Sequence, residues 1–78
     1  MKILVRNLSR STTENTIREI FEIHGNVQSC NLVMDKKTGE SKGFGFVEMP
    51  KAGDAKIAIK TLNGKKLEGN ILRIKKSD

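Results

Sequence analysis

The sequence predicts an α+β sandwich in the order βαββαβ, a split βαβ arrangement in which a four-stranded antiparallel sheet carries two helices on one face. Three observations carry this expectation. Four segments alternate apolar and polar residues with the period of a strand, two carry apolar residues at helical spacing, and glycine, proline or asparagine punctuates most of the boundaries. With 78 residues, no internal repeat, no low-complexity stretch and no linker, residues 1–78 read as a single domain.

Lys2 to Arg6 places Ile3 and Val5 on one face and Lys2, Leu4 and Arg6 on the other, the pattern of a half-buried strand. Asn7-Leu8-Ser9-Arg10 leaves it. Ser11, Thr12 and Thr13 offer N-caps for the first helix, with Glu14 three residues after Ser11 as a capping-box partner. Ile17, Ile20 and Phe21 follow at helical spacing until His24-Gly25 stops the helix, which makes Phe21 the expected core aromatic. A second strand is expected from Val27 to Met34, with Cys30, Leu32 and Met34 in one parity and Asn31 and Val33 in the other. Asp35 to Lys42 is polar and holds Gly39, suited to a positive φ, so it reads as a mobile hairpin loop. A third strand spans Lys42 to Met49 and ends at Pro50. Ala55, Ala58, Ile59 and Leu62 mark a second helix from Ala52 to Leu62, closed by Asn63-Gly64. Lys65 to Gly69 reads as a turn or short extended piece. The last strand, Asn70 to Lys76, is expected to bury Leu72 and Ile74 and to turn Ile71, Arg73 and Lys75 the other way.

The third strand is the most informative. Alternation puts Phe44, Phe46 and Glu48 on one face and Gly43, Gly45, Val47 and Met49 on the other. Only one face can be buried, and an unpaired carboxylate in a small core costs several kcal/mol, so Glu48 marks its own face as the wet one. Phe44 and Phe46, two of only three aromatic residues in the chain, are therefore expected to stand in solvent. With both helices on the rear, the open face gathers Leu4, Arg6, Asn31, Val33, Phe44, Phe46, Glu48, Arg73 and Lys75, with Lys42 at its margin. Exposed rings among cations suit flat, negatively charged ligands, because rings stack on bases and cations meet phosphates. Gly43 and Gly45 do not form a phosphate-binding loop, lacking a third glycine, a P-loop lysine and serine, and a following helix. Their expected role is the close packing of a helix on the rear of the sheet.

A net charge of +6 raises the odds of a polyanionic partner. No apolar run approaches the roughly 20 residues of a membrane span, and no signal or transit peptide is visible, so the cytoplasm is the expected compartment. Cys30 is the sole cysteine, which leaves no internal disulfide or thiolate metal site and fits a small buried hydrophobe in a reducing compartment. His24 is also alone, without neighbours for metal or acid–base work. The absence of a nucleophile–base pair, carboxylate dyad or metal cluster argues against an enzyme, a metal and a cofactor alike.

The arrangement resembles the RNA recognition motif family, of ferredoxin-like fold, over essentially the whole chain. Lys42 to Met49 (KGFGFVEM) looks like the family's octamer signature, and Ile3 to Leu8 (ILVRNL) looks like its hexamer signature, placed on the first strand. The length and the GFGFVEM wording are similar to small single-module bacterial RNA-binding proteins. The resemblance implies that Phe46 stacks under a base, that Phe44 packs against the sugars between two nucleotides and that Lys42 contacts a phosphate. Two positions depart from the pattern. Leu4 stands where the hexamer is usually aromatic, which degrades one platform, and Met49 stands where the octamer commonly ends in an aromatic, although parity places it in the core.

The reading is thus a monomeric module for single-stranded RNA. Single-stranded DNA stays open, since stacking ignores the 2′-hydroxyl. The alternative is a protein-interaction module that binds a peptide through its helices, where Glu14, Glu19 and Glu22 of the first helix offer an acidic surface.

Overall fold

A computed structural model describes residues 1–77. The elements run β1 (Lys2–Arg6), α1 (Glu14–Glu22), β2 (Ser29–Met34), β3 (Ser41–Glu48), α2 (Ala52–Leu62), β4 (Lys66–Leu67), β5 (Asn70–Ile71) and β6 (Arg73–Lys76). Four of the strands form an antiparallel sheet in the order β2-β3-β1-β6, so the two strands carrying the signatures lie side by side at its centre. Both helices pack on one face of this sheet. Ile17 and Phe21 of α1 and Ala55, Ala58 and Leu62 of α2 share a core with Ile3, Val5, Cys30, Val47, Met49, Leu72 and Ile74, matching the expected inward parity. Phe21, fully buried, and its neighbour Ile17 each contribute about 1.5–3 kcal/mol by leaving water. Met49 is fully buried as well, so its departure from the signature bears on packing.

The first helix starts differently from expectation. Its N-cap is Thr13, whose side chain accepts from the Thr16 backbone N–H at 3.3 Å. The Ser11–Glu14 capping box does not form. Ser11 exchanges a hydroxyl bond with Ser9 at 2.8 Å, and the Glu14 carboxylate accepts from the Leu32 N–H of β2 at 2.9 Å, so tertiary pairing takes the carboxylate that a local box would have used. At the other end the His24 N–H donates to the Phe21 carbonyl at 3.0 Å, where the helix was expected to stop.

The expected last strand is divided in two. Glu68 and Gly69 both adopt positive φ, the geometry of a tight hairpin turn, and close β4 on β5. The Leu72 N–H then donates to the Lys65 carbonyl at 2.8 Å, outside the main ladder, and only from Arg73 does the chain pair with β1. Asn7 secures this corner, its side-chain amide donating to the Ile71 carbonyl at 2.7 Å.

The 35–42 connection has its own framework. The Asp35 carboxylate accepts from the backbone of Lys37 at 2.8 Å and Thr38 at 3.2 Å, the Gly39 N–H donates to the Asp35 carbonyl at 2.8 Å, and Gly39 takes the expected positive φ. Cys30 is buried, and that burial pushes its thiol above the ordinary range against the smaller pull of the Arg18 guanidinium, as befits an inert side chain.

Candidate nucleic-acid interface

Register converts the alternation into rows across the open face. The central row runs Asn31, Phe46, Leu4, Lys75, each the direct cross-strand partner of the next. One step along the sheet lies the row Ser29, Glu48, Lys2. One step the other way, Arg6 faces Arg73, and Phe44 follows on β3. Met1 and Met49 exchange both backbone hydrogen bonds, at 2.7 and 3.0 Å. Lys2–Glu48 and Leu4–Phe46 are by alternation the intervening pairs without such bonds, in which side chains stand closer.

The structure brings Leu4, Arg6, Asn31, Lys42, Phe44, Phe46, Glu48, Arg73 and Lys75 onto this face or its rim, while Val33 falls at the register shift between Leu32 and Met34. Asn31, Arg6, Lys42, Arg73 and Lys75 are exposed, while Leu4, Phe44, Phe46 and Glu48 are half-buried. The phenylalanines therefore do not stand clear in solvent as expected. They pack edge to face, with centroids 6.4 Å apart and planes at 84°, which holds each ring while leaving part of its surface accessible.

Gly43 and Gly45 meet backbone of β2 and of the segment after β1 rather than a helix, which corrects the expected role. A Cβ on Gly45 would run into the Asn31 carbonyl and lie 3.1 Å from the Leu32 Cα, so the missing side chain admits β2. Gly43 has φ +86° at the point where β2–β3 pairing shifts register between Leu32 and Met34, and its carbonyl accepts from the Leu8 N–H at 2.8 Å. Lys42, in the same parity as Phe44, stands exposed at the margin of the sheet.

Lys2 belongs to the site and was not singled out from the sequence. Its ammonium lies over the Phe46 ring, 4.8 Å from the centroid. Parity with Leu4 places it on the open face, although it lies outside both signatures. Ser29 was missed in the same way. At the rim, Arg10 reaches Glu40 of the hairpin at 3.3 Å, an exposed pair that contributes little to stability. Among the described residues no cluster of histidine, cysteine or carboxylate side chains could hold a metal, and no helix is long and apolar enough to cross a membrane.

A signature-bearing antiparallel sheet, backed by two helices and presenting rings among cations, defines an RNA-binding type of module. The RNA recognition motif model matches residues 3–73, and the chain belongs to that family, one of RNA-binding domains rather than enzymes. Over 77 residues it is 38% identical to the putative RNA-binding protein RbpE of Nostoc, covering 99% of this chain and 78% of that one. It is 40% identical over 74 residues to the chloroplastic 29 kDa ribonucleoprotein A of Nicotiana sylvestris, covering 95% of this chain but only 27% of the relative, and it spans about a quarter of the length of several other curated relatives it matches. Among solved structures, the crystal structure of RNA Binding Protein PG1 superimposes with a TM-score of 0.96 at 36% identity, covering 99% of this chain and 93% of that one.

Proposed function

We propose that this chain binds single-stranded RNA across the open face of its sheet, with Phe46 as the main base platform, Phe44 against the adjoining sugars, and Arg6, Lys42, Arg73 and Lys75 at phosphates. The observation that carries the reading is the half-exposed Phe46 ring at the centre of the sheet, flanked by Leu4 and Asn31. Rings in such a position gain about 1–3 kcal/mol per stacked base. The direct Arg6–Arg73 pairing adds to the case. Like charges opposite one another weaken a sheet, and a phosphate set between two exposed guanidiniums turns that repulsion into attraction. The names of the similar proteins, RNA-binding protein and ribonucleoprotein, point to the same class of ligand.

Titration of a fluorescently labelled single-stranded RNA with the wild type and with Phe46→Ala tests this. The substitution weakens binding by about 1–3 kcal/mol and, since the ring lies outside the core cluster, moves the thermal midpoint little. Wild type that binds no RNA, or a variant that binds as tightly as wild type, defeats the assignment. The same titration with DNA of matching sequence shows whether the 2′-hydroxyl is read.

A further inference from the structure

We infer that the Phe46 platform selects guanine, through Glu48 and Lys2. The inference rests on the single-strand reading above and adds the identity of the base. A base lying on Phe46 turns one edge toward the neighbouring row, where Glu48 and Lys2 are direct cross-strand partners in a close pair. Glu48 is two residues along β3 from Phe46 on the same face, and the Lys2 ammonium already lies 4.8 Å from the ring centroid. When a base takes the ring, the flexible lysine side chain moves from the ring face to the base edge. That edge then meets a carboxylate, which only accepts hydrogen bonds and takes two in parallel, beside an ammonium, which only donates.

The four bases differ in what they return to such a pair. The Watson–Crick edge of guanine offers two adjacent donors, N1–H and the N2 amino group, followed by the O6 acceptor. The carboxylate takes both donors and the ammonium takes O6. Cytosine, adenine and uracil each present at most one donor position on that edge, always beside an acceptor that would face a carboxylate oxygen. For them one Glu48 oxygen faces an acceptor, a repulsive contact at a half-buried carboxylate, which is discrimination by mismatch as well as by match.

The test compares a short oligouridylate with the same oligomer carrying one central guanosine, and with a third carrying inosine, which keeps N1–H and O6 but lacks the N2 amino group. Wild type binds the guanosine oligomer about tenfold more tightly than the oligouridylate, with inosine between them. Glu48→Gln, which replaces one accepting oxygen by a donor and so both loses a guanine contact and relieves the repulsion toward uracil, brings the guanosine preference to within about twofold. Equal wild-type affinity for the three oligomers, or a guanosine preference that survives Glu48→Gln, overturns the inference while single-strand binding stands. Binding of none of them overturns both. The inosine comparison reads the two-donor contact on the wild-type protein, so it decides the matter even if the variant folds poorly.

Discussion

At the scale of single residues, Leu4 sets how much stacking surface the face offers. It is the direct partner of both Phe46 and Lys75, half-buried at the centre of the sheet, and it lies outside the core cluster. A leucine there gives apolar contact but no π face. Leu4→Tyr should therefore leave the fold intact and add a second platform beside Phe46. Affinity for single-stranded RNA should rise by up to about 1–3 kcal/mol, and by less to the extent that the neighbouring groups are not arranged for the new ring. Double-stranded RNA should gain nothing, since its bases are already stacked. Titration against both RNAs, with thermal melts as a fold control, decides it: unchanged single-strand affinity in a folded variant shows that Leu4 does not occupy a missing platform.

At the scale of elements, β3 depends on two glycines for reasons its alternation does not reveal. Gly45→Ala would place a methyl against the Asn31 carbonyl and the Leu32 backbone, where no flexible side-chain end can give way. The β2–β3 pairing would have to spread, at a cost of about 1–3 kcal/mol, read as a lower midpoint in urea or thermal unfolding. If a full-stability variant is found, the close approach of β2 is not what requires glycine. Parity placed Gly45, Val47 and Met49 inward because Val47 and Met49 are apolar and Glu48 is charged, but it left the buried Ser41 in the preceding loop and could not say which neighbour the glycines admit. Periodicity was legible in proportion to element length. β1 and α2 fall where the pattern places them, β3 lies one residue earlier and β2 starts at Ser29 rather than Val27, whereas β4 and β5, with two residues each, are too short to show a period. The positive φ values at Glu68 and Gly69 divide what alternation read as one strand. The first capping box failed for a related reason: Glu14 pairs with the backbone of Leu32, 18 positions away, and no local pattern encodes that contact. Within the site, Lys2 was legible from its parity with Leu4, but its approach to Phe46 depends on the β1–β3 register, which only the paired sheet fixes.

At the scale of the whole molecule, cations lie on both faces, and what marks the open one is their arrangement around the rings. Arg6, Lys42, Arg73 and Lys75 surround the rings on the open side, while the rear carries both signs, with Glu19 and Glu22 exposed on α1 and Lys56 and Lys60 on α2. A net charge of +6 favours approach of a polyanion in general, and the proposed binding mode assigns its phosphates to the four cations beside the rings. Four exposed cations around the platform suggest that roughly three or four phosphates are neutralised. At about −0.7 per phosphate for a single strand, log affinity should fall against log salt with a slope of about −2 to −3. Lys42→Glu should flatten that slope, since Lys42 sits at the margin, beside Phe44, and its loss removes phosphate contact without disturbing the core. Phe46→Ala should lower affinity at every salt concentration and leave the slope unchanged, because stacking releases no counterions. The two variants thus separate the two sources of affinity in one series of titrations. A wild-type slope near zero would remove phosphate neutralisation from the account and leave stacking alone to hold the strand.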